Sequence, residues 1–477
     1  MTSKIAAWLL FALLLFPGEA GTVHRLRLQP VGLELAAFLM QGTEVTARSA
    51  LTSADGAIRR TEAASGTAQA RLWQFPSGAF LCQRRETKEC AFSFDLPGTC
   101  TLRWAQEDAW ETGSAVRGCV QSLYIDVTDG AETHSLILYP PKAYHAADYG
   151  CIEEALPFKG GVTVEAHGSF TRVSVNVPPP AAGAWADWAV LYADRPLIDW
   201  TNPVMQSIWI HYSLTGDSRL TLDGACYRIE EDYEPAGDYV FEYAPSMYVP
   251  GGMARTGGSD ASFYLSAAML DLARARYSPL GFFPTAAKSL WLERDYGFGT
   301  GFYDTRFNTD LAEAYRAAGQ RWGISEFLDV ADAYTAYLLD HVRTRGVPTA
   351  NGVLSPDYAD YSGQGRLTHT SLNHQLSELL YLYRTGTPAA VETADRMLAG
   401  ICDQGTAWIR EDGSLHYARL PDGDFGLEDY PYLTYNDLYD VQAWLSVHRG
   451  GRNPVLDTLM ASKRAWMDAN GVTGYKN

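Results

Sequence analysis

The feature that most constrains this chain is a change in its hydrophobic periodicity about 200 residues from its start. Between about 22 and 195, apolar residues come in short bursts that alternate with polar ones, most clearly in Thr171-Arg-Val-Ser-Val-Asn-Val. A period of two is typical of strands with one buried face, and turn signals such as Asp129-Gly and Pro97-Gly separate the bursts. The first part of the chain therefore predicts an antiparallel β-sandwich or barrel over residues 21–195.

From about residue 201 onward, the spacing of apolar residues becomes helical. Asn202-Pro203 and Asn453-Pro454 each place an N-cap residue before a proline at the first helical position. A recurring pair of helices joined by a glycine-containing turn predicts an array of hairpins. The first helices of the pairs are expected to begin near Asn202, Ser259, Asn308, Ser371 and Asn436.

The long return segments 345–368 and 405–435 decide between two forms of such an array. Tetratricopeptide units are short and have almost no loops, whereas a closed (α/α) toroid builds its site from long loops on one rim. We therefore predict an α+β multidomain protein, in which an N-terminal β-rich domain precedes a toroid of about five helix hairpins over residues 196–477.

The N-terminal segment predicts the compartment. A short basic stretch precedes Ile5–Phe16, an apolar run of twelve residues that is too short to span a bilayer as a helix. Pro17 and the small residues up to Ala20 then complete the pattern of a secretory signal. We expect residues 1–20 to be a signal peptide, the mature protein to be periplasmic or secreted, and no membrane anchor to remain.

Charge and aromatic content narrow the class of partner. The sequence has 38 Lys and Arg against 56 Asp and Glu, a net charge of -18, which disfavours nucleic acid. The 28 Tyr and 13 Trp suit sugar-binding clefts, where a ring covers C–H groups and a polar atom bonds a hydroxyl. We expect a polysaccharide or oligosaccharide substrate. The oligomeric state, including a homodimer, stays open.

Cysteines and cofactor motifs give two further expectations. Five of the seven cysteines lie between Cys82 and Cys151, and Cys82–Cys90 and Cys100–Cys119 would be the shortest closures. For an exported protein this predicts at least one disulfide in that region.

The sequence contains no CxxC, P-loop, dinucleotide glycine motif, HExxH or GxSxG, so we expect neither a metal nor a cofactor.

The segments that come just before the predicted first helices hold the candidate site residues. In a toroid these helix ends would converge on one mouth, and their mixture of Tyr, Asp, Glu, His and Arg could form an acid/base set around a sugar ring. The candidates near the helix starts at Asn308 and Ser371 are Tyr303, Asp304, Arg306, Tyr358, Tyr361, Arg366, His369 and Asn373. Those before the helix start at Asn436 are Glu428 and Tyr430.

Two of these segments resemble a known family. His369-Thr-Ser-Leu-Asn-His-Gln-Leu376 is similar to the His-Thr-Thr-His-x-Asn-Gln-Leu block of the D-glucuronyl C5-epimerase C-terminal domain, and Glu428-Asp429-Tyr430-Pro431 is similar to its Glu-Glu-Tyr-Pro block. The two blocks occur here in reversed order, and Thr368 stands where the family has a tyrosine. The resemblance implies a helical toroid paired with β domains.

The resemblance also implies a reaction, the removal of the proton at C5 of a uronate and its return to the opposite face. That chemistry needs a base and an acid on opposite sides of the ring and a cation for the carboxylate. Tyr430 with Glu428 could form one side, and His369, Tyr358 or Tyr361 the other. Arg366 or Arg306 could hold the carboxylate through two hydrogen bonds.

Three alternatives to an epimerase stay open. A polysaccharide lyase would begin with the same proton abstraction and then expel the group at O4. A glycoside hydrolase needs only two carboxylates, which Asp304, Asp357, Asp360, Glu428 and Asp429 could supply. A non-catalytic glycan-binding protein of the cell envelope would also explain the aromatic residues.

Overall fold

The computed structural model describes residues 23–27, 32–214, 216–244, 249–256, 258–360 and 366–476. The predicted signal peptide lies outside these residues, and so does Tyr361. The chain groups into two compact units, of which the first comprises Met1–Ala275 with Ala314–Leu328 and the second Arg276–Glu313 with Asp329–Asn477. No helix of the described residues is long and apolar enough to cross a bilayer.

The strands, in chain order, are β1 (Val23–Arg27), β2 (Glu44–Ser53), β3 (Gly56–Ala64), β4 (Ala68–Gln74), β5 (Phe80–Glu86), β6 (Cys90–Pro97), β7 (Thr99–Gln106), β8 (Ala109–Gly113), β9 (Val116–Cys119), β10 (Leu123–Asp129), β11 (Glu132–Ala146), β12 (Ile152–Glu154), β13 (Gly161–Ala166), β14 (Phe170–Val177), β15 (Trp185–Ala193), β16 (Ser218–Thr221), β17 (Gly224–Arg228), β18 (Tyr233–Glu234), β19 (Val240–Glu242), β20 (Lys288–Ser289), β21 (Tyr303–Asp304), β22 (Val347–Pro348), β23 (Val353–Leu354), β24 (Tyr358–Ala359), β25 (Thr370–Ser371), β26 (His416–Arg419) and β27 (Phe425–Glu428). The helices are α1 (Gly32–Leu39), α2 (Pro203–Leu214), α3 (Val249–Thr256), α4 (Asp260–Arg274), α5 (Leu290–Tyr296), α6 (Thr305–Trp322), α7 (Ser325–Arg345), α8 (Leu372–Thr385), α9 (Pro388–Gln404), α10 (Leu433–His448) and α11 (Pro454–Ala469).

Two antiparallel-rich sheets form the body of the first unit. One has the order β1-β6-β14-β13-β9, and the other has the order β16-β17-β19-β12-β11-β15-β5-β4-β3-β2, with β10 on β11 and β7 and β8 beyond it. Both sheets contribute apolar side chains to one core, where Phe92 packs on Trp188 at 5.1 Å between ring centroids. In β14 every second residue from Thr171 to Val177 is buried, as the alternation predicted. The prediction of antiparallel strands in this part of the chain is confirmed.

The first unit extends beyond the predicted β-rich range of 21–195. Strands β16, β17 and β19, between residues 218 and 242, continue the large sheet at the edge of β12. Helix α2 is therefore followed by strands rather than by a second helix. A proline-led helix start was a correct local signal, but it does not mark the end of the sheet.

The predicted disulfide is wrong, because each of the seven cysteines is a free thiol in the structure. The cysteines that are closest in sequence are carried by different sheets. Cys82 and Cys100 pair with residues of the large sheet, whereas Cys90 and Cys119 pair with residues of the five-stranded sheet. Burial raises the pKa of both the Cys82 and the Cys90 thiol to about 12, so these thiols behave as small apolar groups.

Helix hairpins dominate the second unit. Helix α8 packs against both α9 and α10, and α10 packs against α11. Asn453 caps α11, since its side chain accepts hydrogen bonds from the N–H groups of Val455 and Leu456. Two of the expected hairpins, α8–α9 and α10–α11, lie wholly within this unit.

Two of the five expected helix starts are displaced. Helices α6 and α10 begin three residues before Asn308 and Asn436. Asn308 bonds the backbone of Phe283 in both directions instead of capping a helix. Asn436 accepts a hydrogen bond from the N–H of Lys476. In both cases a tertiary contact uses the amide that the sequence offered as a cap.

Candidate active site

Segments that precede helices α6 and α8 meet in the second unit. Strand β21 pairs with β24 in antiparallel register. The N–H of Thr305 donates to the carbonyl of Asp357 at 3.0 Å, and the N–H of Asp357 donates to the carbonyl of His369 at 3.0 Å. Strand β25 joins the same assembly to β26 and β27. The structure thus brings together residues 301–308, 355–359 and 369–374, which the sequence singled out.

Asp357 lies at the centre of this assembly and is completely buried. Its Oδ1 accepts a hydrogen bond from the N–H of Ser371 at 2.8 Å. Its Oδ2 lies 3.3 Å from Nε2 of His369 and 3.8 Å from Nδ1 of His374, and neither contact has good hydrogen-bond geometry. Burial alone would raise the pKa of Asp357, but the two histidines and Ser371 lower it below its ordinary value. Asp357 therefore carries a negative charge at neutral pH.

His369 connects this charge to a tyrosine. Its Nδ1 lies 3.0 Å from the hydroxyl oxygen of Tyr296, on the opposite edge of the ring from Asp357. We assign the ring proton to Nε2, because the carboxylate of Asp357 lies on that side of the ring and its negative charge favours an N–H there. Nδ1 then accepts the hydrogen bond of the Tyr296 hydroxyl. Tyr296, His369 and Asp357 form a three-membered chain that we call the proton relay.

The outer end of the proton relay is Tyr296, which is half-buried, whereas His369 and Asp357 are inaccessible to solvent. Burial raises the pKa of the Tyr296 hydroxyl. The resting tyrosine is therefore protonated at neutral pH. If its proton passes to His369, the hydroxyl oxygen must either accept another proton or become a negatively charged phenolate.

Aromatic rings surround His369. The ring centroids of Trp291, Tyr358 and Tyr417 lie 5.6, 5.7 and 5.7 Å from that of His369. Tyr417 in turn lies 5.8 Å from Tyr430, whose side chain is 49% exposed. A continuous set of rings thus leads from the buried histidine to the surface. Such rings can cover the C–H face of a sugar.

Two further buried acids and a second histidine stand beside the proton relay. Asp304 caps α6 by accepting the N–H of Phe307 at 2.9 Å, and burial, reinforced by the charge of Asp357, raises its pKa to about 7. Burial also raises the pKa of Glu378 well above its usual range, and the hydroxyls of Thr305 and Ser355 only partly offset this. Burial therefore favours the protonated form of Glu378.

His374 is a supporting residue of the cluster. Its Nδ1 lies 2.7 Å from the hydroxyl of Thr305. Burial lowers its pKa to about 4, so the ring is neutral at neutral pH. Among the described residues, no group of three His, Cys, Asp or Glu side chains is arranged to hold a metal ion.

Several predicted residues have structural partners instead of open positions. The guanidinium of Arg306 lies 2.7 Å from Asp437 and 3.3 Å from Asp310, and it also donates to the carbonyl of Asn373. Those ion pairs occupy the fork that we expected to bind a substrate carboxylate. Tyr303 is completely buried, with its hydroxyl 3.0 Å from that of Tyr334.

The side chain of Asn373 is 2% exposed, and its Oδ1 has no hydrogen-bond partner. Tyr358 is buried and contributes its ring to the aromatic surround of His369. Arg366 is exposed, and its N–H donates to the carbonyl of Tyr296 at 3.2 Å. A backbone hydrogen bond therefore joins Arg366 to Tyr296 of the proton relay.

The segment with Glu428 and Tyr430 lies at the surface. Both residues are exposed, and between them Asp429 is buried against Lys463 with 2.7 Å between Oδ2 and Nζ. Asp429 therefore anchors this segment through its ion pair with Lys463. A ring contact with Tyr417 connects Tyr430 to the cluster.

Sequence reasoning missed Tyr296, Trp291, Tyr417 and Arg419. Arg419 follows Tyr417 by two residues on β26, so the alternation of a strand places it on the same face. Its Nε is buried without a hydrogen-bond partner, and its guanidinium makes no ion pair with any residue that the structure describes. The alternation Tyr417–Ala418–Arg419 is the one signal in the sequence that could have indicated it.

No protein-family model matches the sequence, and no curated protein matches it. Several solved structures match part of the chain at low similarity. A D-mannose isomerase matches with 12% identity and a TM-score of 0.34 over 46% of this chain and 57% of the other. A cellobiose 2-epimerase from Spirochaeta thermophila DSM 6192 matches with 15% identity and a TM-score of 0.36 over 47% and 57%. An unsaturated glucuronyl hydrolase from Bacillus sp. GL1 matches with 14% identity and a TM-score of 0.32 over 47% and 59%.

The chain therefore spans less than two thirds of the length of each of these three proteins. Matches of this identity and TM-score identify no activity. The resemblance to the glucuronyl C5-epimerase domain is not confirmed by a family match. The conclusions about function rest on the site itself.

Proposed function

We propose that this protein is an exported carbohydrate-active enzyme that abstracts the C5 proton of a uronate residue in a polysaccharide, as an epimerase or as a lyase. The observation that carries the proposal is the proton relay, in which Tyr296, His369 and the charged Asp357 are connected in series. The proposal includes a signal peptide cleaved after Ala20 and the arrangement of the helix hairpins as a toroid.

The relay supplies the base that this reaction needs. When the Tyr296 oxygen takes the C5 proton, its own proton passes to Nδ1 of His369, and the resulting imidazolium is stabilised by Asp357 at 3.3 Å. Because the pKa of Tyr296 is raised, no phenolate has to exist before the substrate arrives. The same proton can return to the substrate from Tyr296.

A cation must stabilise the charge that develops on the uronate carboxylate. Arg306 is paired with Asp437 and Asp310, which leaves Arg419 and Arg366 for this role. Arg419 is the stronger candidate, because its buried Nε lacks a partner and it shares a strand face with Tyr417. An acidic sugar would supply the missing acceptor and explain how a net charge of -18 is compatible with an anionic substrate.

Epimerisation requires a second proton donor on the other face of the sugar, whereas a lyase does not. Tyr430 and Glu428 are exposed, and Tyr430 contacts the aromatic set through Tyr417. We assign the second face to Tyr430. A lyase would use the relay alone and then expel the group at O4.

The test is a screen of the purified protein on uronate and neutral polysaccharides with three readouts, which are deuterium uptake at C5, absorbance of an unsaturated product and release of reducing ends. Deuterium uptake from solvent at C5 without chain cleavage identifies an epimerase. Absorbance of an unsaturated product identifies a lyase. No uptake and no unsaturated product on any uronate would refute the proposal.

A glycoside hydrolase is the second candidate, and one observation favours it. Asp304 has a pKa of about 7 while Asp357 is ionised, and a pair of carboxyl groups held in opposite protonation states is what acid and base roles require. Release of reducing ends that depends on Asp304, in the absence of deuterium uptake, would favour the hydrolase.

A further inference from the structure

A groove of about 460 Å³ runs along helix α7 in the second unit. Its lining includes Ala336, Tyr337, Asp340, His341, Thr344 and Arg345, which recur on neighbouring turns of the helix. Its volume falls within the range of pockets that hold small molecules, about 300–1,000 Å³. The proposed function does not use any of these side chains.

The deepest polar group of the groove is His341, whose side chain is 3% exposed. Its Nε2 lies 2.9 Å from the carbonyl of Pro356, so Nε2 carries the proton and Nδ1 is an acceptor. Nδ1 is buried and has no hydrogen-bond partner. Burial also lowers the pKa of this histidine to about 4, so the ring is neutral. A buried acceptor without a partner is costly, and a donor from a ligand would satisfy it.

The other polar groups of the groove complement that acceptor. Arg345 makes no ion pair with any described residue, and its guanidinium can donate several hydrogen bonds. The ring of Tyr337 is half-buried and lies 4.9 Å from that of Phe282, which holds it in place. An aromatic face, a donor fork and a deep acceptor together suit a polyhydroxylated ring.

The charge of the groove indicates which kind of sugar it would take. Asp340 and Asp360 line it together with Arg345, and Asp340 is also paired with Arg343 of the same helix. Since these carboxylates offset the guanidinium groups, the groove has no excess positive charge to attract a uronate, and the carboxylate of Asp340 can accept hydrogen bonds from sugar hydroxyls. We propose that this groove is a binding site for a neutral saccharide, in which one hydroxyl donates to Nδ1 of His341. The site holds glycan at a position other than the proton relay.

The test measures binding of cellotriose, mannotriose, maltotriose and trigalacturonate to the full protein by saturation-transfer NMR and calorimetry. Ala336→Trp places a large ring in the groove from an exposed helical position, and Ala461→Trp, on the exposed side of α11, is the matched control. We expect at least one neutral trisaccharide to bind, and Ala336→Trp to weaken it about tenfold or more, a loss of about 1.4 kcal/mol. Ala461→Trp should leave binding unchanged.

A second variant, Arg345→Ala, removes donors without filling the groove and should weaken the same trisaccharide about fivefold. Circular dichroism confirms that each variant is folded. The proposal is overturned if no neutral trisaccharide binds, if trigalacturonate binds there more tightly, or if Ala336→Trp and Ala461→Trp have the same affinity as the wild type. Deuterium uptake at C5 is measured in parallel, so failure of the groove and failure of the proton relay are distinguishable.

Discussion

Lys463 and Asp429 form a buried ion pair whose removal can be predicted in detail. The Lys463 ammonium lies 2.7 Å from the Asp429 carboxylate, and the two side chains are 0% and 1% exposed. Lys463 also donates to the carbonyl of Tyr430 at 2.9 Å and to the hydroxyl of Ser414 at 3.2 Å. It therefore fixes the segment that carries Tyr430, and we expect it to be important for stability.

Replacing Lys463 with Met would leave Asp429 buried without a counter-charge and would break two hydrogen bonds. Removing one partner of a buried pair costs about 3–5 kcal/mol in the free energy of unfolding. Adding Asp429→Asn removes the uncompensated charge while keeping an acceptor for Thr434, so the double variant should recover about half of that loss.

The assay is urea unfolding at pH 7, followed by tryptophan fluorescence and circular dichroism. The matched control is Lys476→Met, which breaks the exposed pair of Lys476 with Asp440, where the side chains are 46% and 35% exposed. An exposed pair contributes at most about 1 kcal/mol. The reasoning is refuted if Lys463→Met costs no more than Lys476→Met, or if the double variant is less stable than Lys463→Met alone.

Three shorter predictions follow from other parts of the structure. Arg419→Lys should lower kcat/KM on a uronate polymer about tenfold or more without unfolding the protein, because Lys lacks the planar guanidinium group. The control Arg117→Lys, at a side chain that is 87% exposed, should leave kcat/KM unchanged. Burial lowers the pKa of His374 to about 4, against about 6.5 in the unfolded chain, so the unfolded chain binds more protons in this range. The free energy of unfolding should therefore fall by about 3 kcal/mol as the pH drops from 6.5 to 4, and in His374→Gln the fall should be smaller by this amount. A thiol reagent in urea should titrate seven thiols in non-reduced protein, and five or fewer would mean that a disulfide exists.

The strands of the first unit could be predicted because their signal is local. Burial of one sheet face produces the alternation of β14 directly, and the same holds for the cap-and-proline starts of α2 and α11. A local signal misplaced the helix starts at Asn308 and Asn436. Each side chain is of a type that caps helices, but here it makes a tertiary hydrogen bond instead of a cap.

The candidate site could be predicted only in part, for a related reason. Asp357 and His369 were identified because they lie in polar segments before helices. Tyr296 lies 61 and 73 residues before them, counted along the printed sequence, in a stretch without any motif. Its role arises from the distance of 3.0 Å to His369, which only the folded chain creates. Arg306 was a reasonable carboxylate ligand by residue type, but Asp437, 131 residues further along, pairs with it.

The central claim, that the proton relay abstracts a proton from a uronate, is tested most directly by deuterium incorporation at C5. The rate is measured on the best uronate polymer for the wild type, for Tyr296→Phe, and for Tyr239→Phe as a control at a 49% exposed tyrosine of the first unit. We predict that Tyr296→Phe loses about 10²–10⁴-fold in rate, as is typical when a general base is deleted, and that Tyr239→Phe matches the wild type. Uptake that is equal in all three proteins would contradict the account.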